Sequence, residues 1–499
     1  MTQAPESTHR PVLEAYDSAA FWDEMFESPG VVRPHYRPLA SRLETLGSEE
    51  VARREQAAHL SFQARGITFA VNQDTEGVEK IMPFDLIPRL ILPGEWKQIE
   101  RGLEQRVRAL NLFLEDVYHD QRILGSGVIP PELVLGARGY RRQLHGADLP
   151  LNVYTHIVGS DLVRDGSGQF YVLEDNLRTP SGVSYLVENR RVLKRVWPQI
   201  FLDYEVRPVE GYPQDLLDVL LAIAPPSADD PTVVLLTPGM YNSAYFEHAF
   251  LAKSMGIEMV QGSDLVVDDG TVYMRTTAGR ERVDVIYRRV DDDFLDPLAF
   301  RSDSLLGVPG LLAAYRMGRV SVANGMGVGV ADDKAIYAYV PSIIKYYLGE
   351  EPILPGVKTY LPTDKSDLAF ILEHLDELVV KSVNESGGYG MMIGPHATAA
   401  DRAEYRERVV ADPRGYIAQP TLALSRHPCW TRDHFEGRHI DLRPFVLFGK
   451  QVSVTPGGLT RVALRSGSLV VNSSQGGGAK DTWVLADDDW ADPTSPGMD

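Results

Sequence analysis

An apolar strand that ends in an acidic cluster most constrains the fold of this chain. The segment Tyr171–Ser184 begins with Tyr-Val-Leu-Glu-Asp-Asn, and Leu151–Asp161 upstream has the composition of a partner strand. Asp165–Gly168, with the sequence Asp-Gly-Ser-Gly, is typical of the turn between two such strands. The sequence therefore predicts a β-hairpin, and a hairpin symmetric about this turn places Asp161 beside Glu174.

The end of this hairpin is a candidate metal site. Because side chains alternate along a strand, Glu174 and Asn176 share one face while Asp175 points to the other. A carboxylate and an amide oxygen are hard ligands that Mg²⁺ accepts together with nucleotide phosphates. Asp161 and Glu174 carry like charges, and like charges that face each other destabilise a strand pair unless something positive lies between them. The alternative, solvated acids at a strand end, stays open at this point.

Charge and cysteine content exclude several classes of protein. The net charge of −19 argues against non-specific binding to nucleic acid or to an anionic membrane. The single cysteine, Cys429, excludes an internal disulfide and a thiolate zinc cluster. The first ten residues lack the apolar segment of a signal peptide, and no apolar run reaches the length of a membrane span. We therefore expect a cytoplasmic protein without a nucleic-acid or membrane partner.

The remaining periodicity predicts an α/β protein with a helical N-terminal region. Residues 11–65 have helical spacing, and a long helix is expected after Pro93. From about 205 to 330 strands alternate with helices, and Thr232–Leu236 is a continuous apolar run typical of a buried parallel strand. The next predicted helix contains Lys334 and is kinked by Pro341.

A lysine followed by a glycine-rich loop forms a candidate phosphate site. Lys381 ends an apolar strand, and Gly387, Gly388 and Gly390 allow the backbone to approach an anion and point N–H groups at it. The pattern is not a Walker A loop, because the Gly-Lys pair at Lys450 lacks the following Ser or Thr. A flexible hairpin turn is the alternative interpretation.

Arginines accumulate near the end of the chain. Arg443, Arg461 and Arg465 lie close to the amide-rich segment Val471–Gln475. The planar guanidinium group suits carboxylate and phosphate oxygens, although a single surface arginine is weak support for a site.

In combination, these motifs resemble the circularly permuted ATP-grasp family (type 2), related to glutathionylspermidine synthetase. The resemblance covers about 60–485 and depends on motif order, because Glu174-Asp-Asn176 precedes Lys381 instead of following it. It implies an α/β fold with an inserted Rossmann-like pre-ATP-grasp domain. The implied parts are a helical region at 1–150, a metal-binding part at 151–204, the inserted domain at 205–330, a nucleotide-binding part at 331–485 and a disordered acidic tail at 486–499.

The resemblance also implies roles for individual residues. Asp161, Glu174 and Asn176 look like the ligands of two Mg²⁺ ions, and Lys334 and Lys381 match the nucleotide-binding lysines. The loop formed by Ser386, Gly387, Gly388 and Gly390 is similar to a flap over the phosphates, and Gln419 lies where the family's hinge meets adenine. The residues expected to stabilise the reacting phosphate are Arg443, Arg461, Arg465 and Arg178.

Two departures from the family pattern limit this comparison. No cysteine amidase domain precedes the synthetase-like part, and Cys429 is misplaced to act as its nucleophile. Gly159 stands where the synthetase has an arginine that contacts the reacting phosphate, and Arg178, Arg288 or Arg289 are candidates to replace it. Glutathione and spermidine are therefore not assumed as substrates.

The function implied by the resemblance is an ATP- and Mg²⁺-dependent ligase that joins a small-molecule carboxylate to an amine through an acyl phosphate. A phosphotransferase on the same scaffold and a non-catalytic ATP-binding protein are the alternatives. The substrates and the oligomeric state, including a homo-oligomer, stay open.

Overall fold

The computed structural model describes residues 13, 16–18, 21–70, 79–384, 390–431, 433–465, 467–469, 471 and 477–486. The expected disordered tail lies outside these residues from position 487 onward. None of the helices in the described part of the chain combines the length and the apolar character that a membrane span requires.

The strands are distributed over the whole described chain. They are β1 (Phe26–Ser28), β2 (Val31–Val32), β3 (Thr68–Ala70), β4 (Glu79–Ile81), β5 (Phe84–Ile91), β6 (Ile157–Arg164), β7 (Phe170–Asn176), β8 (Val233–Leu236), β9 (Glu258–Val260), β10 (Leu265–Asp268), β11 (Thr271–Thr276), β12 (Gly279–Arg282), β13 (Val285–Arg288), β14 (Ser321–Ala323), β15 (Leu378–Ser382), β16 (Met391–Ile393), β17 (Tyr416–Pro420), β18 (Arg426–Thr431), β19 (His434–His439), β20 (Arg443–Phe448), β21 (Val452–Val462) and β22 (Gly478–Val484).

The α-helices lie between these strands. They are α1 (Arg37–Ala64), α2 (Pro93–Tyr118), α3 (Arg122–Gly125), α4 (Pro131–Leu135), α5 (Val183–Val196), α6 (Tyr212–Ala222), α7 (Tyr245–Met255), α8 (Asp292–Leu295), α9 (Leu311–Arg316), α10 (Lys334–Tyr337), α11 (Val340–Leu348), α12 (Lys365–Glu373) and α13 (Ala399–Ala411).

A six-stranded sheet with the order β5-β22-β21-β20-β6-β7 forms the centre of the molecule. Its β6–β7 hairpin confirms the sequence prediction, because Asp161 pairs directly with Glu174. Alternate side chains of β6 enter two different cores: Val158 and Leu162 join the core that contains α2, whereas Ile157 joins the one that contains α1 and α5. Burial on both faces fixes the register of the hairpin.

The prediction of continuous helix over residues 11–65 is wrong in its first half. Phe26 lies in β1, and helix α1 begins only at Arg37. The reason is local, since Pro29 cannot continue a helix and Gly30 takes a left-handed φ of 77° in the turn to β2. The N-terminal region also supplies β5, which pairs in parallel with β22 from the far end of the chain.

The inserted segment forms a four-stranded sheet with the order β14-β13-β8-β9. All three strand pairs in this sheet are parallel, as expected from the buried apolar run at β8. The turn after β8 leads into α7, which packs on β8 and β9. An antiparallel β10-β11-β12 meander follows β9 before the chain returns to β13.

A separate antiparallel sheet with the order β16-β15-β17 carries Lys381 and Gln419. The segment 355–360 connects it to the central sheet: Pro355 and Val357 exchange backbone hydrogen bonds with Val172 of β7, and Tyr360 does the same with Ala418 of β17. These bonds fix the two sheets relative to each other along the cleft between them.

The helix expected around Lys334 is two helices instead of one kinked helix. Helix α10 ends at Tyr337, and α11 begins at Val340 with Pro341 in its first turn. Proline is tolerated there because the first N–H groups of a helix have no intrahelical partner. The break leaves Lys334 on a single short turn that follows Asp333.

Candidate active site

Asp161 lies at the centre of a buried cluster of charged groups. Its Oδ1 accepts a hydrogen bond from Arg443 Nε, and its Oδ2 accepts bonds from Arg443 Nη2 at 2.8 Å and Arg461 Nη2 at 2.6 Å. Arg461 also pairs with Asp441, whose Oδ2 lies 2.9 Å from Arg461 Nε. Strands β6, β20 and β21 are neighbours in the central sheet, which explains why these groups meet.

This cluster keeps Asp161 ionised. Burial raises the pKa of its carboxyl group, but Arg443 and Arg461 more than offset that effect and hold the pKa well below its usual range. The requirement for something positive beside the Asp161–Glu174 pair is therefore met on one side by two guanidinium groups. Asp441, by contrast, has a pKa that burial raises despite its contact with Arg461.

Glu174 and Asn176 face the cleft from β7. The distance between Glu174 Oε2 and Lys334 Nζ is 3.8 Å, and the Glu174 side chain keeps 27% of its surface exposed. Asn176 Nδ2 donates a 3.0 Å bond to the carbonyl oxygen of Gly159, which leaves its Oδ1 as the group still able to act as a ligand. Asp175 points away, as predicted, and pairs with Arg106 of α2.

Lys381 faces these groups from the smaller sheet. Its Nζ donates a 2.8 Å bond to Gln419 Oε1, and Gln419 Nε2 donates to Thr359 at 3.0 Å. Burial lowers the pKa of Lys381 to about 8, with Glu174 acting in the opposite direction. Leu173, the neighbour of Glu174 on β7, lines one cavity with Lys381 and Gln419, so β7 and the smaller sheet face each other across a single cleft.

A small cavity of about 90 Å³ opens beside Lys381 and Gln419. Most of its walls are apolar, from β7, β15, β16 and the segment after β17. The apolar wall includes Leu173, Val379, Met391, Ile393 and Leu424. An apolar slot that adjoins a lysine and a buried amide can accept a flat ring with polar edges.

Arg443 occupies the space above Gly159. A Cβ atom built on Gly159 would lie 3.1 Å from Pro180 Cβ and 3.4 Å from Arg443 Cδ. A longer side chain at this position would therefore displace Arg443. The space beside Gly159 on β6 is thus filled by an arginine from the neighbouring strand β20, where Phe445 pairs with Gly159.

The other predicted arginines lie elsewhere. Arg178 Nε donates to Asp332 at 2.6 Å and its Nη1 to Asp291 at 3.0 Å, and these carboxylates raise its pKa. Arg465 is exposed just after β21. The two further candidates are buried, Arg288 against Asp292 and Arg289 against Glu247.

Much of the expected phosphate loop, namely Ser386, Gly387 and Gly388, lies outside the described residues. Gly390 closes the loop with a φ of 62°, in the left-handed region that favours glycine. Lys381 pairs with Met391, so β15 and β16 form the antiparallel arms on either side of the loop. The roles of the loop residues stay predictions.

Three acidic residues at or beside the site were not singled out from the sequence. Asp441 pairs with Arg461, Asp332 pairs with Arg178, and Asp333 pairs with Arg414 at 2.8 Å. A local signal existed for two of them, because Asp332 lies two residues before Lys334 and Asp441 two residues before Arg443. Nothing local indicates which distant arginine each acid meets.

Cys429 is a packed side chain and not a nucleophile. It is buried with Ile440 and Val462. Burial raises the pKa of its thiol to about 12, so little thiolate forms at neutral pH.

The donor groups at the end of the hairpin fit Mg²⁺ together with phosphates. In the described part of the chain, no three His, Cys, Asp or Glu side chains gather as a metal site. Mg²⁺, however, needs only one or two carboxylates when substrate phosphates complete its shell. Glu174 and Asn176 each offer an oxygen, and Asp161 Oδ1 accepts one arginine bond and so retains a lone pair.

Comparisons with known proteins agree with this geometry. The family model described as "Circularly permuted ATP-grasp type 2" matches residues 88–463. An uncharacterized protein from Synechocystis sp. is 55% identical over 474 residues, which cover 95% of this chain and 98% of the relative. A Frankia alni protein named "Putative glutamate--cysteine ligase 2-3" is 45% identical over 484 residues, covering 96% of this chain but 56% of the relative.

A solved structure shows the same fold at low sequence identity. The glutathione synthetase-like effector from Globodera pallida superposes with a TM-score of 0.57 and 11% identity, covering 88% of this chain and 98% of the other. The central hairpin, the lysine on the second sheet and the matched family model lead to one conclusion. The chain belongs to the circularly permuted ATP-grasp type 2 family.

Proposed function

We propose that this protein is an ATP- and Mg²⁺-dependent ligase that joins a carboxylate to an amine through an acyl phosphate. The observation that carries the proposal is the convergence of Lys381 and Lys334 with Glu174 and Asp161 in one cleft. Cations on one wall and oxygen ligands on the other are what a metal-bound polyphosphate requires.

In this proposal, the residues on each wall of the cleft have a different role. The apolar cavity beside Gln419 receives adenine, and Lys381 and Lys334 contact the phosphates. Glu174, Asn176 and Asp161 would hold Mg²⁺, which would neutralise phosphate charge. Arg443 and Arg461 are held in place by Asp161 and Asp441. In this proposal they stabilise the negative charge that develops during phosphoryl transfer.

The proposed reaction has two steps. A carboxylate oxygen first attacks the γ-phosphorus of ATP, which forms an acyl phosphate and releases ADP. The amine nitrogen then attacks the acyl carbon, and the C–N bond forms as the bond to the phosphate oxygen breaks. The sum converts a carboxylate, an ammonium group and ATP into an amide, ADP, phosphate and one proton. Lys381 and the arginines hold the reacting anions together against their repulsion.

The name of one relative supports amide formation as the outcome. The Frankia alni protein carries the name of a glutamate–cysteine ligase, an enzyme that forms an amide bond. Because this chain spans 56% of that relative, its substrates do not transfer to this chain.

The proposed test is an ADP-release screen with pooled amino acids, peptides and polyamines, followed by mass spectrometry of the products. We expect ADP and an amide in equal amounts. A phosphorylated product without an amide would instead identify a phosphotransferase. Mg-ATP binding without any turnover would identify a non-catalytic ATP-binding protein.

The Glu174→Gln variant tests the metal assignment in the same assay. The substitution keeps the size of the side chain but removes the charge that binds Mg²⁺, so we expect turnover to fall at least ~100-fold, about 2.7 kcal/mol of transition-state stabilisation. Glu281→Gln, on the exposed strand β12, is the matched control and should retain activity. Undiminished turnover in Glu174→Gln would refute the assignment.

A further inference from the structure

A polar cavity of about 200 Å³ lies next to the proposed ATP site, and the proposed nucleotide contacts do not use it. Its walls come from the segment before α10, the loop after β7, the turn after β13 and the loop after α4. The residues that matter most are Arg138, Arg141, Arg178, Asp291, Asp332 and Asn384. Charged groups of both signs thus surround one small space.

Three of these residues connect the cavity to the proposed active site. Arg178 lies two residues after Asn176, and Asp332 lies two residues before Lys334. Asp332 Oδ1 accepts the backbone N–H of Leu177 at 2.7 Å, and its Oδ2 accepts Arg178 Nε at 2.6 Å. Asn384 follows Lys381 by three positions. The cavity therefore adjoins the same strand ends that carry the proposed metal and phosphate ligands.

The arginine side of the cavity has donor capacity left for an anion. Arg138 Nη2 donates to Asp293 at 2.9 Å, and Arg141 pairs with the other oxygen of the same carboxylate. Arg141 Nε is buried and lies 3.8 Å from Asp292 Oδ2, which is too far for a hydrogen bond, so any contact with an anion must come from the terminal guanidinium nitrogens. A guanidinium has five N–H donors, so both arginines can bind a carboxylate in addition to Asp293.

Five aspartates line the cavity, and Asp291 has the most exposed side chain among them. Its Oδ1 caps α8 through the N–H of Asp292, its Oδ2 accepts Arg178 Nη1 at 3.0 Å, and 44% of its side chain stays exposed. Each carboxylate oxygen accepts more than one bond, so Asp291 can also receive an ammonium group.

We propose that this cavity binds the amine substrate, and that this substrate is a zwitterion of amino-acid size. Its carboxylate contacts Arg138 and Arg141, and its amino group contacts Asp291. This inference rests on the proposed ligase function, in which the amino group supplies the nitrogen of the new C–N bond. The volume of about 200 Å³ suits such a ligand, because cavities for drug-sized molecules start near ~300 Å³.

The test is equilibrium dialysis of the full chain, with Mg²⁺ and a non-hydrolysable ATP analogue, against a radiolabelled mixture of the standard amino acids. We expect the label to be retained. Amino acid amides, which lack the carboxylate, and N-acetyl amino acids, which lack the ammonium group, should need at least ~tenfold higher concentration to displace it, as the loss of one charged hydrogen-bonding group predicts.

Two variants and two matched controls locate the binding. Arg141→Gln removes the anion contact, and Asp291→Asn removes the acid while keeping the cap, since Asn caps helices as well as Asp. Each should weaken amino acid retention at least ~tenfold. Arg301→Gln and Asp303→Asn should leave it unchanged. Arg301 also pairs with an aspartate and lies over a phenylalanine ring, as Arg141 does, but is exposed outside the cavity.

The outcomes separate this inference from the proposed function. Retention of the nucleotide analogue is measured in the same cells. Bound nucleotide without bound amino acid, or wild-type amino acid affinity in both Arg141→Gln and Asp291→Asn, would overturn the cavity assignment alone. Equal competition by the amides or the N-acetyl derivatives would overturn the zwitterion. No retention of the nucleotide by the wild-type protein would overturn the proposed function and this inference with it.

Discussion

At the scale of single residues, Lys381 shows how the cleft balances burial against charge. Burial lowers its pKa to about 8, while Glu174 opposes the change and Lys334 adds to it. The lysine is therefore charged at neutral pH but close to losing its proton. Lys381 donates a hydrogen bond to Gln419 Oε1 within its own sheet, whereas Glu174, on the central sheet, lies 3.8 Å from Lys334. A polyphosphate placed among these groups would stabilise the charged form further.

This pKa predicts how nucleotide affinity depends on pH. Bound ATP raises the pKa of Lys381, so affinity is full below pH 8 and falls above it, by at most ~tenfold per pH unit, up to the pKa of the complex. Calorimetric titration with Mg-ATP, at intervals of about one pH unit between about pH 6.5 and about pH 9.5, measures this dependence of affinity on pH. Lys381→Ala should bind ATP more weakly and lose this dependence; a wild-type profile in the variant would contradict the assignment.

The lowered pKa of Lys381 also affects the free energy of unfolding, which changes with pH in the opposite direction to the ATP affinity. Because the pKa of Lys381 is lowered from 10.5 to about 8, the unfolded chain binds more protons between these two values. The contribution of this group to the free energy of unfolding therefore increases as the pH rises through that window. Because deprotonation of Lys381 does not destabilise the fold above pH 8, unfolding caused by this residue would not explain weaker ATP binding there.

At the scale of elements, helix α7 of the inserted segment holds the chain between β7 and α5. Glu247 of α7 is completely buried, and its Oε2 accepts the N–H groups of Gly182 at 2.7 Å and Ser184 at 3.1 Å. Its Oε1 lies 3.2 Å from Arg289 Nη2. The preceding carbonyl, of Ser181, accepts Arg443 Nη1 at 3.2 Å. One glutamate thus fixes the start of α5 directly behind the Asp161–Arg443 pair.

The Glu247→Gln variant tests this connection. It leaves Arg289 buried without a counter-charge, and breaking a buried ion pair costs about 3–5 kcal/mol in the free energy of unfolding. Urea unfolding measures the loss. Glu258→Gln, at the exposed first position of β9, is the control and should stay within ~0.5 kcal/mol of the wild type. Equal stability of the two variants would show that Glu247 does not hold the segment.

At the scale of the whole molecule, the proposed nucleotide lies between two sheets that segment 355–360 joins through backbone hydrogen bonds. The central sheet carries Asp161 and Glu174, and the smaller sheet carries Lys381 and Gln419. A ligand that contacts both sheets stabilises each of them, because opening either one gives up part of the binding energy.

Hydrogen exchange in the presence and absence of Mg-ATP tests this arrangement. At a ligand concentration near 100 times Kd, binding adds about 2.7 kcal/mol, and slower exchange is expected in both β6–β7 and β15–β17. ATP with a chelator should protect β15–β17 more than β6–β7, because the proposed metal ligands lie on the hairpin. Protection confined to one sheet in Mg-ATP would contradict a shared cleft.

The local sequence determined much of the secondary structure around the proposed site. Alternation along a strand and the composition of a turn were enough to predict the β6–β7 hairpin, the pairing of Asp161 with Glu174 and the opposite face of Asp175. The buried parallel strand at β8 and the position of Lys381 on a strand followed from similar patterns. These features depend on neighbours a few residues apart, and the geometry of the backbone fixes their periodicity.

Only the tertiary structure determined which charged side chains form ion pairs. Asp161 is bound by arginines 282 and 300 positions away, and its partners come from strands that only the sheet order brings together. Arg178, close in sequence to the proposed metal ligands, pairs instead with Asp332 and Asp291, 154 and 113 positions distant. No local period encodes such pairings, because they follow from the packing of whole elements and from the cost of burying a charge without a partner.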